Sequence, residues 1–242
     1  MSGVDILAVG AHPDDVELGC GGLLLSMRDR GYRFAIVDLT AGEGGSRGDR
    51  ETRAREAKAA AELLGASARE CLLLPDTRVE ATEGAIRRMT EAVRRHRPRL
   101  VVSMHPGDRH PDHAAAAAIV ERAVFLAGLA KAEADGAPHR AARVIRYSRH
   151  PWFAPSFVVD ISDVVDRKLA AVRLYESQFS RKAPGPRTPI SSPDFEEDLL
   201  AFWRFHGLPV GARYAEPYSC DGPPALPDPV AALCVERRDI SA

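Results

Sequence analysis

The chain has 242 residues, of which 45% are apolar and 28% are charged, and its formal net charge is −1. This composition is typical of one α/β domain and argues against a strongly basic nucleic-acid-binding protein or an acidic disordered chain. The first residues lack the basic and apolar segments of a signal peptide, and no apolar run approaches the roughly 18 residues that a membrane helix needs. We therefore expect a cytoplasmic protein with no nucleic-acid or membrane partner.

The four cysteines give no sign of a structural zinc ribbon or a redox pair. None of them belongs to a Cys-x-x-Cys pair, which is the spacing that such sites use. We expect reduced thiols. Cys20 lies close to the first motif described below, and we interpret it as a small packing residue.

Apolar runs alternate with helical patterns over about the first 135 residues. Strands are predicted at 4–9, 34–39, 71–74 and 100–103, and helices at 17–30, 50–64, 82–95 and 113–130. Asp14 is predicted to cap the first helix, with Glu17 in the capping-box position. A glycine-rich loop at 40–49 follows the second strand. This alternation predicts a Rossmann-like α/β fold with a mostly parallel sheet and helices on both faces.

The pattern changes after residue 135. Strands are predicted at 144–147 and 157–161, and helices at 163–175, with a Ser162 cap, and at 194–206. The segment 180–193 is predicted to be a mobile loop, and the proline-rich chain from residue 207 to be extended or irregular. Without a clear boundary, we expect one domain over 1–242, whose part from about 136 onwards completes the site and makes subunit contacts.

Two strand-to-helix junctions carry a His-Pro-Asp core. Residues 11–15 read AHPDD and residues 110–113 read HPDH, each after an apolar run and before a helix. Because ligand sites in parallel sheets lie beyond the carboxyl ends of the strands, we interpret these junctions as two halves of one metal site. The candidate ligands are His12, Asp14, Asp15, His105, Asp108, His110, Asp112 and His113.

A hydrolytic zinc site needs about three protein ligands and an open position. Asp14 and Asp15 cannot both reach one metal from a single turn without strain, so one of them would ligate and the other would serve as a general base. Zinc suits such a set of histidines and aspartates, although iron or cobalt would fit as well.

Two other interpretations are open for these junctions. The aspartates of the first junction, or His110 with Pro111 at the first helical position, would then only cap helices. A dinucleotide site is disfavoured because the Gly-x-Gly-x-x-Gly pattern is absent and His12 and Asp15 stand at its glycine positions. Asp38, at the end of the second strand, is then a structural residue.

The two motifs together resemble the LmbE/PIG-L family of zinc-dependent N-acetylglucosaminyl deacetylases. Further segments look like the branch that deacetylates N-acetylglucosaminyl-malate in bacillithiol biosynthesis; they are 38–43, 51–57, 155–160, 175–179 and 214–218. The resemblance implies an LmbE-like three-layer α/β sandwich, a Zn2+ cofactor, an N-acetylated amino sugar conjugate as substrate, and a homo-oligomer, either a hexamer or a trimer.

The resemblance also implies roles for the residues of the two motifs. The zinc ligands would be His12, Asp15 and His113. Asp14 would be the base that takes a proton from the attacking water. His110 would stabilise the oxyanion or protonate the leaving amine, with Asp112 orienting it.

Four further residues are candidates for substrate binding. The resemblance implies a substrate contact for Arg53, and Arg109 is a second candidate because a guanidinium pairs with a carboxylate of malate through two hydrogen bonds. Glu43, on the glycine-rich loop, would bind sugar hydroxyls, and His150 would line the pocket. Many relatives carry an arginine where this chain has Ala114, so any contact of that arginine is lost here.

Two rival functions remain open. One is a deacetylase or amidase acting on another N-acetylglucosaminyl conjugate, such as a chito-oligosaccharide or a thiol conjugate. The other is a non-catalytic binding module with the same sheet, which is disfavoured because the base, the acid and the ligands occur together.

Overall fold

Seven β-strands form the centre of the fold in the residues that the structure describes. This computed structural model describes residues 3–149, 153–228, 230 and 232. The strands are β1 (Ile6–Gly10), β2 (Phe34–Asp38), β3 (Ala68–Cys71), β4 (Leu100–Met104), β5 (Arg143–Tyr147), β6 (Phe157–Asp160) and β7 (Ala215–Cys220). They lie in the order β3-β2-β1-β4-β5-β7-β6. The first five pair in parallel, and β7 is antiparallel to β5 and β6. The predicted mostly parallel sheet is confirmed.

Helices cover this sheet in two groups. They are α1 (Asp15–Asp29), α2 (Arg50–Leu64), α3 (Glu83–His96), α4 (Pro111–Ala127), α5 (Val165–Arg173), α6 (Glu176–Phe179) and α7 (Phe195–Gly207). α3 packs against α4, whereas α1 packs against α2 and α5. Right-handed crossovers put the helices of the two halves on opposite faces of the sheet, which gives the expected three-layer α/β sandwich. Among the described residues, no helix has both the length and the apolar character to cross a membrane.

The strand order reverses between the neighbouring strands β1 and β4. From β1 it continues to β2 and β3 on one side, and from β4 it continues to β5 on the other. The loops that follow the two central strands therefore diverge and leave a crevice beyond the carboxyl ends of the strands. β1 is buried along its whole length. It therefore holds the loop 11–14 firmly at this crevice, beside the loop 105–110 that follows β4.

One strand was predicted at the wrong residues, and another was not predicted as a strand. β3 lies before the apolar run 72–74 that suggested it. Its residues are half-exposed at the sheet edge and form no apolar run, whereas Leu72 packs into the core from the loop that follows. β7 lies in the tail that was predicted only to be extended or irregular, and it contains Pro217. That proline faces Val158 of β6, whereas β5 pairs only with the last two residues of β7, so no N–H of Pro217 is needed.

Two predicted helix caps were also wrong. The side chain of Asp14 makes no capping hydrogen bond to α1. Ser162 does not cap α5, and its hydroxyl bonds Asp160 Oδ1 at 2.5 Å. His110 does cap α4, since its Nδ1 accepts a hydrogen bond from the backbone N–H of Asp112 at 3.2 Å.

Two glycines of α1 allow residues of β5 and β7 to pack closely against this helix. A Cβ at Gly19 would lie 2.1 Å from the ring of Tyr147, whose hydroxyl donates to the carbonyl of Val9 at 2.9 Å. A Cβ at Gly22 would lie 2.7 Å from Oε1 of Glu216. These glycines therefore serve close packing of α1, and this agrees with the rejection of a dinucleotide site.

Gly19→Ala is expected to destabilise the protein by about 1–3 kcal/mol, because the added methyl group would displace the buried Tyr147 ring, whose hydroxyl is bonded to the carbonyl of Val9. Gly21→Ala is the matched control, since the nearest atom to its Cβ would be Cγ of Lys168 at an ordinary 3.5 Å. Chemical denaturation followed by circular dichroism measures both variants. Equal stabilities for the two variants would contradict this packing role.

Candidate metal centre

The loop after β1 brings His12 and Asp15 together at the crevice. The backbone N–H of His12 donates to Asp15 Oδ2 at 2.7 Å, and the N–H of Asp15 donates back to the carbonyl of His12 at 3.3 Å. Between them, Asp14 has a φ of 113°, a left-handed conformation that non-glycine residues avoid. Such backbone strain costs about 1–3 kcal/mol and is concentrated at functional sites.

His12, Asp15 and His113 form a cluster that fits a metal ion. Their ligand atoms all lie within 4.8 Å of one another. Asp15 bridges the two imidazoles, with Oδ2 at 3.3 Å from Nδ1 of His12 and Oδ1 at 3.3 Å from Nε2 of His113. Two imidazoles and a carboxylate are a donor set that zinc uses in hydrolytic sites, with a further position left open.

The outer nitrogens of both histidines face carboxylates. Nε2 of His12 lies 3.0 Å from Asp76 Oδ1 and 3.2 Å from Asp112 Oδ2. Nδ1 of His113 lies 3.3 Å from Asp108 Oδ1. Metal-binding histidines commonly have a carboxylate at the nitrogen that does not bind the metal, because it fixes the ring and makes it a better donor. The environment of the cluster therefore also fits a metal site.

These carboxylates change the pKa values of the histidines. Burial opposes the charged form of His113, but the charge of Asp15 and the hydrogen bond to Asp108 outweigh it and raise the pKa of His113 to about 10. Burial likewise opposes the charged form of His12, but hydrogen bonds that its ring donates to Asp112 and other aspartates raise its pKa well above the usual value. The carboxylates around both rings thus favour positive charge at the cluster, which a metal ion bound to the neutral rings would supply.

The neighbouring carboxylates of Asp14 and Asp15 differ in pKa. Burial raises the pKa of Asp14 to about 7, although the charge of Arg53 opposes the rise. Burial also acts on Asp15, but the charge and hydrogen bond of His113 outweigh it and hold its pKa well below the usual value. Asp15 is therefore the ionised partner of the histidines, and Asp14 has the pKa that suits a base near neutral pH.

A pH dependence follows from the raised pKa of Asp14. A general base acts when deprotonated, so kcat/KM is expected to rise between about pH 6 and 8 and to fall about tenfold per pH unit further below the pKa. Arg53→Gln should move this limb to higher pH, because the Arg53 charge lowers the pKa of Asp14. A pH–rate series on both proteins measures the shift, and a limb that stays in place in the variant would contradict this role of Arg53.

Arg53 is buried against the base. Its Nη2 lies 3.1 Å from Asp14 Oδ2 and also donates to the carbonyl of Pro13. Its Nη1 lies 3.5 Å from the carbonyl of Gly42, on the glycine-rich loop. Within the described residues its Nε has no hydrogen-bond partner. Arg53 therefore holds the Asp14 carboxylate in place while it lines the cavity of the site.

The backbone of Asp112 orients His110. Its N–H donates to Nδ1 of His110, so the neutral ring carries its proton on Nε2. Burial, together with the charges of His113 and His12, lowers the pKa of His110. The Asp112 carboxylate accepts hydrogen bonds from the backbone N–H groups of Thr77 and Val79, at 2.8 and 3.2 Å, and faces His12. Orientation of His110 by the carboxylate itself stays a prediction.

Asp76 is the residue of this site that the sequence reasoning missed. It lies in the loop after β3 and is 7% exposed. It accepts hydrogen bonds from the backbone N–H groups of Gly44 and Thr77, at 2.7 and 2.8 Å, and faces His12. Burial opposes its ionisation, but the hydrogen bond to His12 lowers its pKa to about 2. A Pro-Asp pair directly after the predicted strand 71–74 was the available signal.

A cavity of about 690 Å³ opens over the cluster. Arg53 and Arg109 line it, as do Asp14 and His110. Glu43 is exposed, and its Oε1 accepts a hydrogen bond from the backbone N–H of Asp76 at 3.1 Å. His150 lies outside the described residues. A larger groove of about 1010 Å³ lies between α2 and residues 176–184, but none of the motif residues line it.

The structure thus combines a doubly wound α/β sheet with a histidine–aspartate cluster that fits a metal ion and a buried carboxylate beside it at the crevice. The model of the PIG-L family, described as GlcNAc-PI de-N-acetylase, matches residues 7–124. A diacetylchitobiose deacetylase of Thermococcus kodakarensis is 30% identical over 87% of this chain and 80% of its own length. The chain belongs to the PIG-L family.

The names of two other relatives state a hydratase reaction and a different deacetylase substrate. A 4-oxalmesaconate hydratase of Pseudomonas putida is 30% identical over 71% of this chain and 73% of its own length. A probable N-acetyl-α-D-glucosaminyl L-malate deacetylase 2 of Bacillus cereus is 26% identical over 83% and 97%. The crystal structure of the conserved protein TT1542 of Thermus thermophilus superimposes with a TM-score of 0.84, at 41% identity over 92% and 97%. The substrate is therefore not set by family membership alone.

Proposed function

We propose that this chain is a zinc-dependent deacetylase that removes acetate from an N-acetylglucosaminide, with N-acetylglucosaminyl-malate as the first candidate. The observation that carries the proposal is the pair Asp14 and Asp15. One carboxylate is ionised between two histidines, and the next has a pKa of about 7 and faces the same cavity. Metal-assisted hydrolysis of an amide uses both a metal site and a nearby base.

In this proposal His12, Asp15 and His113 hold the metal. A bound zinc ion would polarise the amide carbonyl and make water more acidic. Asp14 accepts the proton of the attacking water, with its carboxylate held by Arg53. The Nε2–H of His110 donates a hydrogen bond to the oxyanion that forms from the carbonyl. The proton on Asp14 then passes to the sugar nitrogen as the C–N bond breaks, and the products are acetate and a free amine.

The substrate contacts proposed for Arg53 and Arg109 are with the carboxylates of malate. Support comes from the position of both arginines on the cavity wall and from the Bacillus cereus relative, whose name states the malate conjugate. Glu43 is proposed to contact sugar hydroxyls from the rim, and His150 to line the pocket. The Thermococcus kodakarensis relative supports diacetylchitobiose as the alternative substrate.

A hydratase is the second candidate function, because a hydratase is among the relatives at 30% identity. Purified, zinc-loaded protein should be assayed with N-acetylglucosaminyl-malate, diacetylchitobiose and 4-oxalmesaconate. Acetate release from the first substrate, with a kcat/KM above that of the second, is the expected result. A preference for diacetylchitobiose would overturn the malate assignment, and turnover of 4-oxalmesaconate alone would overturn the deacetylase.

The cellular setting is also proposed. Three cysteines in the described residues are free thiols, as expected for a reducing compartment such as the cytoplasm. A homo-oligomer follows from the family resemblance, and the exposed apolar side chains of Phe205, Leu208 and Val210 are a surface that it would bury. Light scattering on the full chain measures the assembly, and a monomer at micromolar concentration would contradict it.

A further inference from the structure

Arg149 is an arginine of the cavity that the mechanism above does not use. It follows β5, which neighbours β4, so it lies at the same edge of the sheet as the candidate metal centre. Its side chain lines the cavity together with His110 and His113. The guanidinium carbon lies 4.9 Å from the ring centre of Phe195 in α7. That aromatic face limits how the guanidinium plane can turn.

Arg149 has no acidic partner among the described residues. No carboxylate lies within 4.0 Å of its guanidinium there, whereas Arg53 and Arg146 have carboxylates at 3.1 and 2.9 Å. Asp198 and Asp108 act on it only through their charge at longer range. The oxygens of Asp108 already face His113 and bond the hydroxyl of Ser148, at 3.3 and 2.8 Å.

A cation that is largely removed from water without a partner is costly, so Arg149 would gain from an anion brought by the ligand. Burial lowers the pKa of Arg149, but an arginine remains charged at neutral pH. Arg109, which is exposed on the same cavity, is near enough for its positive charge to act on Arg149. This part of the cavity wall therefore carries two guanidinium groups, in the same cavity that His110 and His113 line.

We propose that Arg149 is a specificity-determining residue that binds a carboxylate on the aglycone of the substrate, with Arg109 as a second, more exposed cation. The proposal rests on the proposed deacetylase function. A guanidinium held against an aromatic ring presents two parallel N–H donors, which match a carboxylate. A neutral chito-oligosaccharide would leave Arg149 without a partner, so the cavity favours an acidic conjugate such as the malate glycoside of N-acetylglucosamine.

The test compares two substrates that differ only in charge, N-acetylglucosaminyl-malate and its dimethyl ester, on zinc-loaded full-length protein. Arg149→Gln is expected to lower kcat/KM for the free acid by about 10- to 100-fold, mainly through KM, since one charge-assisted hydrogen-bonded pair is lost. For the dimethyl ester the change should be less than about twofold. Arg55→Gln, an exposed arginine on α2, is the matched control and should match the wild type on both substrates.

A merely structural Arg149 would give a different result. Arg149→Gln would then lower kcat/KM for acid and ester by the same factor, and that outcome overturns the proposal. Zinc content and circular dichroism of the variant establish that it is folded. Arg149→Lys should recover part of the preference for the acid, because it restores the charge but not the paired donors.

Failure of the proposed function is detected separately. If the wild type releases acetate from neither substrate, the deacetylase proposal is wrong, and calorimetry with L-malate tests the anion site alone. Binding of L-malate by the wild type that weakens at least about tenfold in Arg149→Gln supports the site. Equal binding by the two proteins, or no binding by either, overturns it.

Discussion

Asp14→Asn is expected to lower kcat by about 10²- to 10⁴-fold, the range that a positioned general base contributes. The amide keeps the size of the carboxylate but cannot accept the proton of the attacking water. The variant should still bind its metal, because Asp14 is not one of the proposed ligands His12, Asp15 and His113, whose donor atoms cluster. Turnover and metal content, measured on the same preparation, test both statements.

Asp166→Asn on the exposed side of α5 is the matched control for this change, and it should match the wild type. The thermal midpoint adds a second readout. Burial of Asp14 disfavours its charged form, so Asp14→Asn should not lower the midpoint at about pH 8 despite the loss of the ion pair with Arg53. A variant with unchanged turnover would remove Asp14 from the mechanism.

His113→Ala is expected to abolish measurable turnover and to leave most of the isolated protein without metal. His113 supplies one of three clustered donors, and Nε2 lies 3.3 Å from Asp15. With two protein donors left, the site no longer has the set that zinc uses. Elemental analysis and acetate release measure the two losses.

A graded control separates ligation from general damage to the fold. Asp108→Asn changes the carboxylate beside the outer nitrogen of His113, and it should weaken zinc binding by about 10- to 100-fold without removing it. His139→Gln alters a histidine that bonds the carbonyl of Pro98, away from the cavity, and should leave zinc content unchanged. Full zinc content in His113→Ala would show that this residue is not a ligand.

The two His-Pro-Asp loops of the site could be predicted, because their residue types and the parallel sheet both indicate a site at the strand ends. β1 and β4 are apolar runs that end in loops carrying the two His-Pro-Asp segments, and parallel strands bring such loops to one edge. Periodicity and strand ends are short-range properties, so one chain is enough to recognise them. The fold class and the meeting of the two His-Pro-Asp loops followed from these features, whereas the choice of His12, Asp15 and His113 among the candidate ligands came from the family resemblance.

Other parts of the site depend on long-range contacts that no local pattern contains. Asp76 reaches His12 from a loop after an edge strand, and half-exposed edge strands have no clear apolar signal. Arg149 gains its environment from Phe195, which lies on a helix much later in the chain. The pKa of Asp14 depends on burial by the finished fold, so its value could not be derived from sequence.

A buried ionic cluster joins α5 and β7 to α1, and the sequence did not predict it. Nζ of Lys168 donates to Glu216 and, at 2.8 Å, to the carbonyl of Leu18, and it lies 3.9 Å from the ring centre of Trp203. Glu216 in turn accepts from the backbone N–H of Gly22 at 2.8 Å. α5 and β7 thereby support the helix that begins at Asp15. A lysine and a glutamate far apart in sequence gave no reason to pair them.

The most direct test of the account is acetate release from N-acetylglucosaminyl-malate by the zinc-loaded chain, by the chelator-treated chain, and by the treated chain after zinc is returned. We predict turnover by the loaded protein, its loss on chelation, and its recovery with zinc, together with a weaker rate on neutral N-acetylglucosamine. Acetate release that survives complete removal of the metal would contradict a metal-dependent deacetylase at His12, Asp15 and His113.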